Sequence, residues 1–378
     1  MLLHKETSER WYVAMRVATS QLEPGCLLTK DVMGQTNRPI VSKNTTLQPL
    51  HIDVLKKFSI DTVEVSNRRS DGSLFIVSET TEKEEPDQDL RSEEPVLPFF
   101  ESYLAAVQEY KKWFTSWQGG SPVNISTIRK VMVPLLERAV DSAGHEVFSL
   151  HHYTSSKNYI YHHSVAMGLL SSYVASKMGY NYGEWIQVGL AGLLADSGMA
   201  KISERITWKE APLTEREYEM VKSHPTYSYR NVEKISSLSN HAKVAILQHH
   251  ERLDGTGYPL GVSEDKIHPF SQIIAVCDMY HAMTSERMYR RKQSPYKVLE
   301  EILQEQFGRY DHKVISALVK EMTSYSTGTK IRLSDHREAE VIFVEKTNPT
   351  RPLVQIIEDG QFLPLKEQLD LHIEEVYE

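Results

Sequence analysis

"LQHHERLDGTGYPLG", residues 247–261, sets two adjacent histidines, a glutamate and an aspartate directly before a loop of glycine, threonine, tyrosine and proline. The residues leading into it, "HAKVAI" (241–246), are apolar at helical spacing, so His249 and His250 stand at the end of an apolar run. Polar side chains at such a place either face water or meet partners from elsewhere in the chain. Neighbouring residues on a helix point about 100° apart, so the two imidazoles can touch two adjacent points but not wrap one.

Partners are available. "YIYHHSVAMGLLSSYVA" (159–175) carries His162 and His163 at the head of an apolar helix, and "VGLAGLLADSGMAKI" (188–202) ends a tightly packing run in Asp196, which is expected to be buried. In "VKSHPTYSYRNVEKI" (221–235) His224 precedes Pro225, which suits a helix start. "SQIIAVCDMYHAMTS" (271–285) places Asp278 inside a strongly apolar helix. A single buried histidine or aspartate is more often a hydrogen-bonded core residue than a ligand. Several helices that each offer imidazole or carboxylate, with no thiolate among them, match a catalytic site for Fe, Mn, Ni or Zn. A shared carboxylate could bridge two such ions, and two ions can activate water and neutralise a phosphodiester together.

The 378 residues are 40% apolar and 25% charged, ordinary for a globular protein of two or three domains. A net charge of -8 argues against DNA as a partner, because a phosphate backbone normally calls for a basic surface. Two separated cysteines, Cys26 and Cys277, fit a reducing compartment. No window reaches the roughly 18 consecutive apolar residues of a membrane span, and "MLLHKETSERWYVAM" lacks a signal-peptide core, so a cytoplasmic protein is expected. The pattern divides into a small mixed domain of strands and a helix (1–68), an acidic linker (69–97), a helical domain (98–325) and a β-rich segment (326–378). The fold class is mainly α.

The motifs "HHSV", "LLADSGMAKI", "PLTEREYEMVKSHP", "HHERLDGTGYP" and "VCDMYHAMTSERMYR", in this order, resemble the HD-GYP family of the HD superfamily, bacterial metal-dependent phosphohydrolases acting on cyclic di-GMP. The resemblance covers about residues 99–325. It implies an HD-type helical domain flanked by the small N-terminal α+β and C-terminal β-rich segments. It also implies one or two divalent transition metals on His163, Asp196, His224, His249, His250 and Asp278, with Asp196 bridging. Gly257, Tyr258 and Pro259 align with the signature loop, and Arg287 and Arg290 with basic residues near the phosphates. Asp196 and Tyr258 are the expected catalytic groups. The implied ligand is cyclic di-GMP or a related nucleotide.

The pattern breaks at two places. Where the family has His-Asp and then a lysine, this chain has Ala195-Asp196 and then Met199, so one imidazole and one ammonium are missing. His162 points away from His163, and Lys201 lies on a different face from the lost lysine, so neither replaces them easily. Tyr159 stands where three-metal members carry a carboxylate, which argues against a third ion. Three functions are compatible with this pattern: an impaired phosphodiesterase; a non-catalytic cyclic di-GMP receptor; or a scaffold for another signalling protein such as a diguanylate cyclase. A homodimer fits any of them.

Overall fold

The protein is described from a computed structural model covering residues 14–33, 39–58, 60–70, 73–75, 98–142, 144–154, 156–286, 293–305 and 308–377. Residues 76–97 of the acidic stretch lie outside the described residues, as do Arg287 and Arg290. The fold is mainly α, with sheets towards the two ends. The chain divides into two compact units, Met1–Glu109 with His152–Ser155, and Tyr110–His151 with Ser156–Glu378.

In the first unit the elements run β1 (Ala14–Ala18), β2 (Cys26–Leu28), β3 (Val32–Met33), β4 (Pro39–Val41), α1 (Pro49–Lys57) and β5 (Thr62–Arg69). β1 and β2 flank β5 in an antiparallel sheet, with Ala14 opposite Ser66 and Ala18 opposite Thr62. Pro49 opens α1, where its missing N–H costs nothing, and Ile52 and Leu55 turn inward. They close a core with Val17, Leu28, Val65 and Phe75.

Helix α2 (Phe99–Gln118) crosses the division between the units. The second unit continues with α3 (Ile125–Asp141), α4 (Gly144–Phe148), α5 (Tyr159–Lys177), α6 (Tyr182–Leu194), α7 (Glu204–Thr207), α8 (Glu215–Val221), α9 (His224–Val232), α10 (Asn240–Gln248), α11 (Pro269–Thr284), α12 (Pro295–Glu305) and α13 (His312–Met322). Every residue of α5 from Ile160 to Ala175 is buried, the mark of a central helix rather than an amphipathic surface one. Its alternation of Ala, Gly and Ser with larger side chains lets neighbours approach from all sides. Helix α6 starts in a reciprocal capping box between Asn181 and Glu184 and buries most of its length beside α5.

The strands β6 (Lys330–Leu333), β7 (Glu338–Phe343), β8 (Leu353–Ile356), β9 (Phe362–Pro364) and β10 (Ile373–Val376) form one antiparallel sheet in the order β10-β6-β7-β8-β9. This sheet belongs to the helical unit. Arg351 pairs with Glu300 of α12 at 2.6 Å and donates to the carbonyls of Leu365 and Gln368. Ser294, just before α12, donates to the carbonyl of Ile373.

One junction, between the end of α6 and the start of α9, brings two of the expected metal donors together, Asp196 and His224. Helix α6 ends at Leu194, and Asp196 sits in the turn beyond it. Ser228 of α9 donates to the carbonyl of Ala195 at 2.5 Å and accepts from the N–H of Gly198 at 2.7 Å. A Cβ on Gly198 would lie 2.1 Å from the carbonyl oxygen of His224 and 2.5 Å from the nitrogen of Ser228, so only glycine allows this approach. The turn carrying Asp196 is thereby locked against the start of α9, which carries His224. Because α6 has already ended, Asp196 is not sealed in the packed run as its apolar setting suggests. Its side chain keeps 19% exposure. Asp278, within α11, likewise keeps 13%.

Candidate metal centre

Asp196, His224, His249 and His250 each bring one donor atom to a common place, with those atoms within 4.8 Å of one another. Asp196 divides its two oxygens. Oδ1 lies 3.1 Å from Nε2 of His224 and 3.6 Å from Nε2 of His249, while Oδ2 lies 3.5 Å from Nε2 of His163. Asp278 completes the second side, with Oδ1 3.1 Å from His163 Nε2 and Oδ2 3.4 Å from His250 Nδ1. Both adjacent histidines reach the common place, against the expectation that they serve separate points, and His250 also meets Asp278; their ring centroids are 4.0 Å apart. All six sequence-derived donors therefore meet at one place.

Hydrogen bonding fixes two of the imidazoles in the form a metal needs. Nδ1 of His224 lies 2.7 Å from the carbonyl of Val221, and Nδ1 of His249 lies 2.8 Å from that of Ile246. A carbonyl only accepts, so both rings carry their proton on Nδ1 and a neutral ring turns a lone pair outward from Nε2. Those Nε2 atoms face each other at 3.2 Å, beside Asp196 Oδ1. At most one proton fits between them, whereas a single divalent cation satisfies both lone pairs and the carboxylate. The donor set, all imidazole and carboxylate, fits a transition ion.

The charge state agrees. Burial opposes ionisation of Asp196, but the imidazoles of His224 and His249 beside it outweigh burial and hold the carboxyl well below its usual range. Burial is likewise overridden at Asp278, first by the hydrogen bond with His163, which keeps that carboxyl low. At His250 burial dominates, and with His249 beside it the ring is held well below the ordinary imidazole range and stays neutral.

A cavity of about 670 Å³ opens over the cluster, in the range of small-ligand sites. His163, Asp196, His224, His250 and Asp278 contribute to its polar floor, and Met199, Met279 and Met283 to its wall. Met199, in the place of the family lysine, offers no proton to a phosphate. Five Tyr and Trp rings, Tyr159, Trp208, Tyr218, Tyr258 and Tyr310, border the space. Among the described residues its cations are Lys209, Arg252 and Arg309. Nothing in their spacing announces this, although Arg252 lies within the signature. Arg252 rests over the ring of Tyr310, 4.5 Å from its centroid, and Lys209 pairs with Glu217 at 2.6 Å. Lys201 turns away and donates to the carbonyl of Trp117. His151 and His162 are buried outside the cluster.

The signature loop is positioned by Glu251, a residue to which the motif alone assigns no role. Glu251, 2% exposed, accepts from the N–H of Leu260 at 2.6 Å, Gly261 at 3.3 Å and Val262 at 3.2 Å. Gly257 packs so closely that a Cβ would lie 2.4 Å from both the nitrogen of Arg252 and the Cα of Glu251. Its place is set by backbone packing, and the peptide between Tyr258 and Pro259 is cis. Of the three signature residues, Tyr258 lines the cavity, its ring 4.7 Å from that of His250. Burial pushes its phenol above the ordinary range, so it remains a neutral O–H. Sequence reasoning also misses His281, whose Nδ1 lies 3.0 Å from Nδ1 of His163.

Residues 151–314 match the HD domain family. The chain is 28% identical over 214 residues to the cyclic di-GMP phosphodiesterase PdeB of Borreliella burgdorferi, covering 56% of each chain. It is 32% identical over 210 residues to a cyclic di-GMP phosphodiesterase of Pseudomonas aeruginosa, covering 56% of this chain and 50% of that one. With the 3'3'-cGAMP-specific phosphodiesterase 1 of Vibrio cholerae it shares 31% over 172 residues, covering 45% of this chain and 40% of that one. The matched stretch thus spans about half the length of these relatives or less. No helix among the described residues is long and apolar enough to cross a membrane. Over residues 151–314 the chain is thus similar to the HD domain family, and the relatives that it resembles there are named cyclic dinucleotide phosphodiesterases.

Proposed function

We propose that the protein is a metal-dependent phosphodiesterase acting on a cyclic dinucleotide of the cyclic di-GMP class. The observation that carries this reading is the division of Asp196, one oxygen towards His224 and His249 and the other towards His163. A carboxylate so placed suits a bridge between two ions. His224, His249, His250 and Asp196 would hold one, and His163, Asp278 and Asp196 the other. A divalent ion there neutralises phosphate charge and makes water acidic enough to act as a nucleophile near neutral pH.

The protein's own groups have separable tasks. Asp196 and Asp278, held ionised, supply negative charge that attracts the cations and orients water. Tyr258, kept neutral, donates its O–H to a phosphate oxygen. Arg252, Arg309 and Lys209 provide positive charge around the cavity for the second phosphate, and the resemblance adds Arg287 and Arg290. Trp208 and Tyr218 offer flat faces to the bases. Ala195 leaves the His163 side with three protein groups, a number that catalytic sites tolerate with water completing the shell.

The similarity to phosphodiesterases of cyclic di-GMP and 3'3'-cGAMP supports the substrate class. The test is chromatographic separation of products after incubating Mn²⁺-loaded protein with cyclic di-GMP or 3'3'-cGAMP, beside Asp196→Asn and Ala195→His/Met199→Lys. Linear dinucleotide or mononucleotide from the natural protein, absent with Asp196→Asn, supports the proposal. Binding without turnover identifies a receptor, and no binding a scaffold; either overturns it.

A further inference from the structure

The two halves of the cluster differ in how firmly their imidazoles are set. His224 and His249 are held by carbonyls, which can only accept. His163 is held otherwise: its Nδ1 lies 3.0 Å from Nδ1 of His281 and 3.1 Å from the hydroxyl of Tyr159, both of which can donate or accept. His281 is 1% exposed, and Ser285 Oγ lies 3.2 Å from its Nδ1 and 3.4 Å from its Nε2. Two arrangements of the His163–His281 contact differ in which ring donates. In one, His163 carries its proton on Nε2, directed at Asp278 and Asp196, while Nδ1 accepts from His281. In the other, His163 carries its proton on Nδ1 and donates to His281, whose own proton sits on Nε2 towards Ser285. Only the second leaves a lone pair on His163 Nε2, facing the carboxylates at 3.1 and 3.5 Å.

Resting on the metal-dependent reading above, we propose that His281 is a positioning residue that accepts the Nδ1 proton of His163 and so makes the His163–Asp278 half competent for a second cation. Between the two arrangements the net charge is unchanged. The Nδ1 proton of His281 passes to Nδ1 of His163, the Nε2 proton of His163 leaves to water, and one proton returns from water to Nε2 of His281. The His224–His249 half needs no such rearrangement and binds first. Ordered, unequal loading of two ions results, with the weaker event governed by a side chain that touches neither substrate nor ion.

The test is titration of the chelator-treated full chain with Co²⁺, followed by calorimetry and visible absorption. Natural protein shows two events of unequal affinity. His281→Leu, which fills the same space without an acceptor, keeps the tighter event within about threefold and weakens the other by roughly 10–100-fold, the usual effect of losing an outer partner. His281→Asp, an acceptor, restores the weaker event. The retained tight event and the melting temperature report that the variants are folded. An unchanged weaker event in His281→Leu, no recovery in His281→Asp, or a single event in the natural protein overturns the role of His281. No Co²⁺ uptake by the natural protein overturns the metal reading itself.

Discussion

Nε2 of His224 and Nε2 of His249 face each other at 3.2 Å, each ring tied at its back to a main-chain carbonyl. Without a cation this is an unfavourable contact, since two lone pairs and a carboxylate converge. Sites assembled for a ligand commonly give up stability in its absence. Replacing His224 by leucine should therefore leave the chelator-treated protein within about 1 kcal/mol of natural stability. The same change should abolish the rise in melting temperature on adding Mn²⁺. Thermal melts with and without the ion check both halves of this expectation.

Glu251 makes a second case, because its carboxylate satisfies three loop N–H groups at once. Glu251→Ala strands them and should cost about 2–4 kcal/mol, read from denaturant unfolding. Glu251→Gln keeps an acceptor for Leu260 and Gly261 and should cost about half of that. Equal losses in both variants would mean that the loop is held by something else.

Two glycines should prove intolerant for a steric reason. An alanine methyl at Gly198 or Gly257 meets backbone atoms at 2.1–2.5 Å, which cannot rotate aside as a side chain can. Each change should cost about 1–3 kcal/mol and shift the melting temperature by several degrees. Gly198→Ala should also weaken Mn²⁺ binding, because it separates the Asp196 turn from α9. Isothermal titration of both variants would distinguish them, with Gly257→Ala expected to keep the ion.

Acidification tests the neutrality of His250. Its pKa in the folded chain lies well below the 6.5 of a free imidazole. As pH falls below 6.5 the unfolded chain takes up a proton there and the folded chain does not, so stability decreases with falling pH. Asp196 and Asp278, with lowered folded values, contribute stability that is lost only below about 3.8. Between these limits the metal-free protein should lose up to about 1.4 kcal/mol per pH unit from His250. Unfolding of His250→Leu measured between about pH 6.5 and 4.5 should show a smaller slope.

Much of the site was legible because metal donors must come from costly polar residues in apolar helices, and these stand out in a sequence. His163, Asp196, His224, His249, His250 and Asp278 were each conspicuous for that reason. The cavity's cations were not: Lys209 and Arg309 lie in ordinary surface-like stretches, and only the folding of α7–α8 and the loop before α13 brings them to the cavity. His281 sat within a recognisable motif, but its role depends on the distance to a residue 118 positions away. Asp196 ends a run of Ala, Gly and Leu whose close packing implies burial, but the turn beyond α6 leaves its side chain 19% exposed. At the fold level, helices and terminal strands followed their periodicities. The attachment of the last sheet to α12 through Arg351 and Glu300 is a tertiary contact that no local pattern encodes.

The most direct measurement is the number of transition ions per chain in the purified protein, set beside Asp196→Asn and His224→Leu/His249→Leu. One tightly held ion or more in the natural protein, with its loss in both variants, is the expected result. Equal metal content in all three, or none in folded natural protein supplied with Mn²⁺, Fe²⁺, Ni²⁺ and Zn²⁺, would contradict a cation on Asp196.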